Sequence, residues 1–239
     1  MFRYALLLIY VLSMPSLREA QRPSKLEMLQ PILDVLDSAN LSGSLEFSGS
    51  CDVQNLPEFP RLRTTTTGKG SPLQRLREIF ADDPLMYVEQ DGNGIIRMKE
   101  SGVPSDVLNL EIRRIQFQSN GANGQWDIYT PNDALRFVLQ APEMSAFLKA
   151  HNIDWPYAGE MAPENIRAWP SEAPHISGSL DNVTVSEALD HILTRFPGIW
   201  AYENCPRSTV KNRVIYIRFF HLLKIGSAHI VADLQTSPL

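Results

Sequence analysis

The pattern that most constrains the fold of this chain lies in residues 175–220, which read as strand, helix, strand, loop and strand. Thr184 and Glu187 stand three residues apart at the start of the helix, the spacing of a capping box in which each side chain bonds the other residue's backbone N–H. Apolar residues then recur at helical spacing, namely Ala188, Leu189, Ile192, Leu193 and Phe196. A Pro-Gly pair directly afterwards ends the helix. The segment therefore predicts a small β-α-β-β unit whose helix buries one face.

A weaker copy of this pattern lies upstream. Leu76 and Leu189 are 113 residues apart, and so are Pro84 and Pro197, which follow the two predicted helices. At this offset strand, helix and strand superimpose without a gap, although few residues are identical. We therefore expect an α+β fold of two βαββ-type repeats, which form small mixed sheets packed with amphipathic helices.

Residues 1–20 have the features of a secretory signal peptide. Their apolar run at 4–12 is shorter than the roughly 20 residues of a membrane helix, but it fits the central region of a signal peptide. Ala20 is one candidate cleavage point, and Ser13 or Ser16 are others. An uncleaved N-terminal anchor is the remaining alternative. We expect a periplasmic or secreted protein with no transmembrane span in the mature chain.

The rest of the chain divides into four parts. A helix at 23–40 precedes a weak strand at 41–50, where turn-forming residues are frequent. An Asp-Gly-Asn-Gly sequence at 91–94 is a strong hairpin signal. The expected boundaries are 21–118 for the first α/β unit with its N-terminal helix and hairpin, 119–174 for a helical and proline-rich aromatic connector, 175–220 for the second βαββ unit, and 221–239 for a C-terminal tail.

The charge balance narrows the choice of partners. A formal net charge of −5 and a pI near 5.6 argue against nucleic acid, which requires a basic face. The glycine-rich spots lack the strand and helix that a phosphate-binding loop needs. We accordingly predict no cofactor and no nucleic-acid partner.

The two cysteines, Cys51 and Cys205, each follow a predicted strand. In an oxidising compartment a disulfide between them would join the start of the first half to the end of the second. Closing so long a loop stabilises by roughly 4–5 kcal/mol in the chain-entropy description. The alternative is two buried, unpaired thiols. Two cysteines without a histidine at ligand spacing do not complete a zinc site, so we predict no metal.

The second unit resembles the short N-terminal domain of secretins and TonB-dependent receptors. The matching residues are Ile176-Ser177-Gly178, then Val183-Thr184-Val185-Ser186-Glu187-Ala188-Leu189, then the extended segments 198–202 and 213–218. In that family such domains are small periplasmic α/β modules, without catalytic residues, that bind partner proteins or assemble into rings. The resemblance implies a free-standing module that carries two such units. It does not indicate the oligomeric state.

Few residues suggest catalysis. His191 lies one helical turn after Glu187, which permits either a surface pair or an acid–base dyad. Cys205 with His191 or His221 is a conceivable nucleophile and base, but no orienting Asn or Asp stands at a recognisable position. The sequence therefore predicts no catalytic residues.

Aromatic residues mark the candidate partner-binding segment. Trp155, Tyr157 and Trp169 lie in a long proline-rich stretch, and aromatic side chains are favoured at interfaces. The alternative is that these rings pack between the two halves.

We expect a non-enzymatic, exported interaction or adaptor module of the bacterial cell envelope. It would dock an envelope protein or peptide through its sheet edges or its aromatic loop. The alternative is a small secreted hydrolase that uses Cys205 or the His191/Glu187 pair. A lipid- or ligand-binding domain would require a sizeable apolar cavity.

Overall fold

The structure is a computed structural model. It describes residues 25–49, 60–63, 68–121, 124–126, 128, 130–155, 174–206, 212–225 and 228–233. The predicted signal peptide lies outside these ranges.

The described part of the chain contains both helices and mixed sheets, which confirms the predicted α+β class. The helices are α1 (Lys25–Ser38), α2 (Pro72–Ile79), α3 (Pro131–Leu139), α4 (Pro142–Ala150) and α5 (Val185–Leu193). The strands are β1 (Gly43–Ser48), β2 (Met86–Gln90), β3 (Ile96–Glu100), β4 (Glu111–Phe117), β5 (Ser119–Gly121), β6 (Gly124–Trp126), β7 (Ile153–Asp154), β8 (Gly178–Thr184), β9 (Ile199–Cys205), β10 (Arg213–Ile225) and β11 (Ala228–Asp233).

Side chains cap the start of three helices, and the sequence pattern indicates two of these caps, Ser71 and Thr184. Ser71 caps α2 in a capping box with Gln74, and Thr184 caps α5 in a capping box with Glu187. Thr130 accepts a hydrogen bond from the third residue of α3. These side chains satisfy N–H groups that a helix leaves without partners at its start.

The largest sheet joins the two predicted units. Its strand order is β11-β10-β9-β1-β3-β2, and β7 pairs with β10. The antiparallel hairpins β2–β3 and β9–β10 lie on opposite sides of β1, which is parallel to both β3 and β9. The two hairpins therefore belong to one mixed sheet, whereas the sequence suggested small sheets in each unit.

The two repeats occupy different positions in this sheet. β9 is next to the central strand and all its residues are buried, whereas its sequence counterpart β2 is at the sheet's end. Tyr87 of β2 and Trp200 of β9 match at the repeat offset, but Tyr87 is 44% exposed and Trp200 is fully buried. The offset thus aligns elements of the same type in different environments.

Two apolar cores lie on opposite faces of the large sheet. The first packs α1 and α2 against one face, with Leu45, Phe47, Ile96, Met98, Ile199 and Phe220. The second packs α3, α4 and α5 against the other face and against β4, with Ile112, Phe117, Leu135, Leu189, Trp200 and Ile217. β4 and β8 form a separate antiparallel pair, so the first strand of the second unit does not join β9 and β10.

The central strand β1 corresponds to the weak strand of the sequence analysis. Leu45 and Phe47 face the core of α1 and α2. The alternate residues Ser44 and Glu46 are buried too, although they are polar. Those two side chains lie on the face where charged groups of β3 and α5 meet.

Candidate functional site

Strand β2 ends the large sheet. It pairs with β3 on one side, and no strand among the described residues pairs with its other side. An open strand edge presents backbone N–H and C=O groups to a further strand. This edge is the candidate site.

The backbone hydrogen bonds show which groups of β2 point outward. Ser101 N–H donates to the Leu85 carbonyl at 2.8 Å, and Asp91 N–H donates to the Ile95 carbonyl at 3.0 Å. In an antiparallel pair the bonded residues alternate, so the odd-numbered residues of β2 bond to β3. The N–H and C=O groups of Met86, Val88 and Gln90 point away from the sheet.

Two of these six outward groups already have partners. The Val88 carbonyl accepts a hydrogen bond from Arg77 Nε at 3.1 Å. Met86 N–H donates to the Asp83 carbonyl at 3.2 Å. The N–H groups of Val88 and Gln90 and the C=O groups of Met86 and Gln90 remain available along the edge.

The side chains of β2 differ between its two faces. Met86 and Val88 pack against the core of α1 and α2. Leu85, which precedes the strand, and Tyr87 are 52% and 44% exposed, and they are the large apolar side chains that stand out as exposed in the described part of the chain. Because Leu85 and Tyr87 are two residues apart, they lie on the same face, and Glu89 continues that row.

Behind this row an arginine holds β3, the hairpin turn and α5 together. Arg97 donates to Asp91 at 2.6 and 3.0 Å and to Asp190 at 2.5 and 2.9 Å. Its Nη1 also lies 3.5 Å from Ser44 Oγ. Trp200 Nε1 donates to the same Asp190 carboxylate at 2.8 Å. These contacts connect β1, β3, β9 and α5, and they fix the hairpin that carries β2.

A second ion pair lies beside the first. Lys99 Nζ is 3.2 Å from Glu46 Oε2 and also donates to Ser105 Oγ. Burial raises the pKa of Glu46 above its ordinary value, although the charges of Lys99 and Arg97 oppose that rise. The pair therefore combines a desolvated carboxylate with a cation that is partly exposed.

A third network connects β9 and β10 to the loop before β4. Arg213 makes two hydrogen bonds to the Asp106 carboxylate, at 2.7 and 2.8 Å, and one to the Tyr202 hydroxyl at 2.7 Å. Burial raises the pKa of Tyr202 to about 12. The hydrogen bond from Arg213 lowers the pKa of Asp106 below its ordinary value. These groups already bond one another, which fits a supporting role for the network.

The aromatic segment is described only in part. Trp155 is partly buried and packs against the core of α3, α4 and α5. Tyr157 and Trp169 lie outside the described residues. Both the docking role of this segment and its packing between the two halves stay predictions.

Cys205 is 1% exposed, and no free cysteine occurs among the described residues. Its Sγ lies 3.9 Å from Glu203 Oε1. Cys51 lies outside the described residues, so the Cys51–Cys205 disulfide stays a prediction.

Glu187 and His191 have separate environments. Glu187 accepts hydrogen bonds from the backbone N–H and the hydroxyl of Thr184, at 2.7 and 2.9 Å, and these bonds lower its pKa. His191 stacks on Phe117 with ring centroids 6.0 Å apart. Burial and the nearby Arg195 lower the pKa of His191 below its ordinary value. Glu187 therefore serves to cap α5.

One open cavity, of about 420 Å³, lies at the C-terminal end of α5. Its lining includes His175, His191 and Arg195. In the described part of the chain, no three potential ligand side chains are grouped to hold a metal ion. Within the same residues, no helix has both the length and the apolar character to cross a bilayer.

Nothing in the sequence singled out the β2 edge as a site. The hairpin signal at 91–94 located β2 and β3, but it does not say which of the two strands lies at the end of a sheet. Because β3 pairs with β1, β2 is the strand of the hairpin that lies at the end of the sheet.

Comparison with known proteins adds no relative. The chain matches no family model, no curated protein and no solved structure.

Proposed function

We propose that this chain is a non-enzymatic docking module that binds an extended segment of another protein along the edge of β2. The observation that carries the proposal is the row of outward backbone groups on Met86, Val88 and Gln90, beside the exposed Leu85 and Tyr87. Strand addition uses these two features together, because main-chain hydrogen bonds give affinity and side-chain contacts give specificity.

The expected affinity is modest. A net gain of roughly 0.5–1.5 kcal/mol for each main-chain hydrogen bond gives a few kcal/mol for the available groups. Apolar contacts with Leu85 and Tyr87 add to this, since burying apolar surface yields about 25 cal/mol per Å². The free energy of ordering the segment opposes both terms. A micromolar to millimolar dissociation constant is the natural range, as in reversible adaptor contacts.

The rigid support of β2 favours this function. Arg97 connects the β2–β3 hairpin to Asp190 of α5, and β3 pairs with the central strand. A preformed edge loses little conformational entropy when a segment binds.

The cellular place of such docking, the bacterial envelope, follows from the expected signal peptide and is part of the proposal.

Site-specific photo-cross-linking in cells of the source organism tests the proposal. A p-benzoylphenylalanine at position 87 should cross-link to a discrete partner, whereas the same residue at position 114, an exposed residue of β4, should not. The decisive comparison adds Gln90→Pro or Gln90→Ala to the position-87 protein. Both substitutions delete the hydrogen bond from Gln90 Nε2 to the Gly94 carbonyl. Proline in addition removes the outward N–H, and alanine retains it.

We expect Gln90→Pro to abolish the cross-link and Gln90→Ala to preserve it. Equal cross-linking by both proteins would mean that the partner does not use the strand edge, and the proposal would be wrong. Because Gln90 is exposed and its N–H is not used by β3, neither substitution removes a core contact or a bond of the sheet.

A further inference from the structure

We infer that the docked segment is basic where it passes Glu89 and apolar where it passes Tyr87 and Leu85. This inference rests on the proposed function and specifies the chemistry of the partner. It follows from the contacts of Arg97 and Lys99, the two cationic residues of β3.

Glu89 has no compensating charge within the described residues. It lies opposite Arg97 in the β2–β3 register, the position where a cross-strand ion pair would form. Arg97, however, directs its guanidinium to Asp91 and Asp190: Nε donates to Asp91, Nη1 to Asp190 and Nη2 to both. Glu89 is exposed and makes no ion pair among the described residues.

The next position along the edge shows the same arrangement. Tyr87 lies opposite Lys99, whose ammonium group is directed to Glu46 and Ser105. Both cations of β3 are therefore committed to groups behind the hairpin. The row that remains for a partner is Leu85, Tyr87 and Glu89, two apolar side chains followed by one carboxylate.

This order of side chains determines the complementary pattern. A strand that pairs with β2 places alternate residues on the same face, directly opposite this row. A lysine or arginine opposite Glu89 forms a cross-strand pair of opposite charges, whereas an acidic residue there is repelled. β-branched or aromatic residues opposite Tyr87 and Leu85 complete the match. The chain's net charge of −5 favours approach of a basic segment.

Three short peptide sequences that differ at one position, each made in both chain orders, test this inference. In each peptide every second residue is threonine. The residues between the threonines are meant to face Leu85, Tyr87 and Glu89, and they are valine, valine and a variable residue, which is lysine, glutamine or glutamate. The variable residue is placed after the two valines in one version and before them in the other, so that it can lie opposite Glu89 in either parallel or antiparallel docking. Binding is measured by titration into the isotope-labelled full chain, with the backbone amide signals of β2 as the readout.

We expect the lysine peptide to bind about two- to fivefold tighter than the glutamate peptide, with glutamine in between. Glu89→Lys should reverse this order. Glu111→Lys makes the same change in net charge at an exposed residue of β4 and should leave the order unchanged. Added salt should reduce the difference between the lysine and glutamate peptides.

The outcomes separate the two proposals. If the three peptides perturb β2 equally, or if glutamate binds best, the basic partner is wrong while docking at β2 stands. If Glu111→Lys reverses the order as well, the preference reflects net charge and the inference is also wrong. If no peptide perturbs β2, including the neutral one, strand docking itself fails and this inference fails with it.

Discussion

Glu46 is a carboxylate in the middle of the large sheet, at a position where parallel strands usually carry apolar side chains. Its neighbours on that face are Lys99 and Arg97 of β3, Asp190 of α5 and Tyr202 of β9. Burial dominates and raises the pKa of Glu46 above its ordinary value of 4.5. Ionised Glu46 is therefore a cost to the folded state that its ion pair only partly offsets.

The first prediction concerns the pH dependence of stability. Because the folded-state pKa lies above the unfolded value, the stability that Glu46 contributes is complete below the unfolded pKa. It is lost as the pH rises through the folded pKa. Glutamine does not ionise, so Glu46→Gln loses no stability in this way. We expect the free energy of unfolding of the variant, relative to the parent, to increase as the pH rises from about 4 to about 8.

Urea unfolding at several pH values measures this difference. Carboxylates with lowered pKa values, such as Asp106 and Glu187, act in the opposite sense, but they are present in both proteins and cancel. Glu111→Gln, on an exposed face of β4, is the matched control and should show no trend. A relative stability of Glu46→Gln that falls with rising pH would contradict the account.

At the scale of single elements, α5 depends on its capping box. Thr184 Oγ accepts from Glu187 N–H at 3.2 Å, and Glu187 accepts from Thr184 N–H at 2.7 Å. Thr184→Ala should cost about 1 kcal/mol of unfolding free energy. The control is Thr194→Ala at the other end of α5, where an exposed hydroxyl donates to the His191 carbonyl at 2.7 Å. It should cost less than about 0.5 kcal/mol. Equal losses in urea unfolding would contradict the assigned capping role.

On α2, Arg77 protects the edge of β2. Its Nε occupies the Val88 carbonyl that an added strand would use. Charged side chains commonly shield strand edges in this way. Arg77→Ala should therefore tighten binding of the lysine peptide about two- to tenfold, since one main-chain hydrogen bond no longer requires displacement of the side chain. Calorimetric titration measures the change.

Arg114→Ala removes the same charge from an exposed residue of β4 and should leave the affinity unchanged. Weaker binding by Arg77→Ala would show that the guanidinium contributes to docking and does not protect the edge.

Local signals in the sequence predicted most elements and little of their arrangement. The caps at Ser71 and Thr184 and the turn at 91–94 located α2, α5 and the β2–β3 hairpin. Pro31 lies inside α1, which continues through it as one helix. β1 was predicted only as a weak strand because its polar residues hide its burial. Those residues are accommodated by Arg97 and Lys99, which no local pattern connects to β1.

The arrangement of the whole molecule depends on contacts between distant parts of the sequence. β1 inserts between two hairpins, so that it pairs with β3 on one side and β9 on the other. Asp190 and Arg97 then meet across 93 positions of the chain. Such non-local contacts leave no periodic signal, which is why the repeat in the sequence did not reveal that β2 is exposed and β9 buried.

A shared sheet predicts that the two units unfold together. At Gly43 of β1, an added Cβ would lie 2.9 Å from the Ile96 carbonyl oxygen and 3.3 Å from Leu36 Cδ1. Gly43→Ala should cost about 1–3 kcal/mol. Native-state hydrogen exchange should show the same loss of protection in β3 and in β9. Gly92→Ala, where an added Cβ meets no atom within 4 Å, is the control. Loss of protection in β3 alone would contradict the shared sheet.

The most direct measurement for the docking proposal is hydrogen exchange at the outward N–H groups of β2. In the free protein the amides of Val88 and Gln90 have no partner among the described residues, whereas Ser101 N–H is bonded to Leu85. We predict that saturating lysine peptide slows exchange at Val88 and Gln90 and leaves the amides of β4 unchanged. If exchange at Val88 and Gln90 is unaffected while the peptide is bound, the partner docks elsewhere and the central claim is wrong.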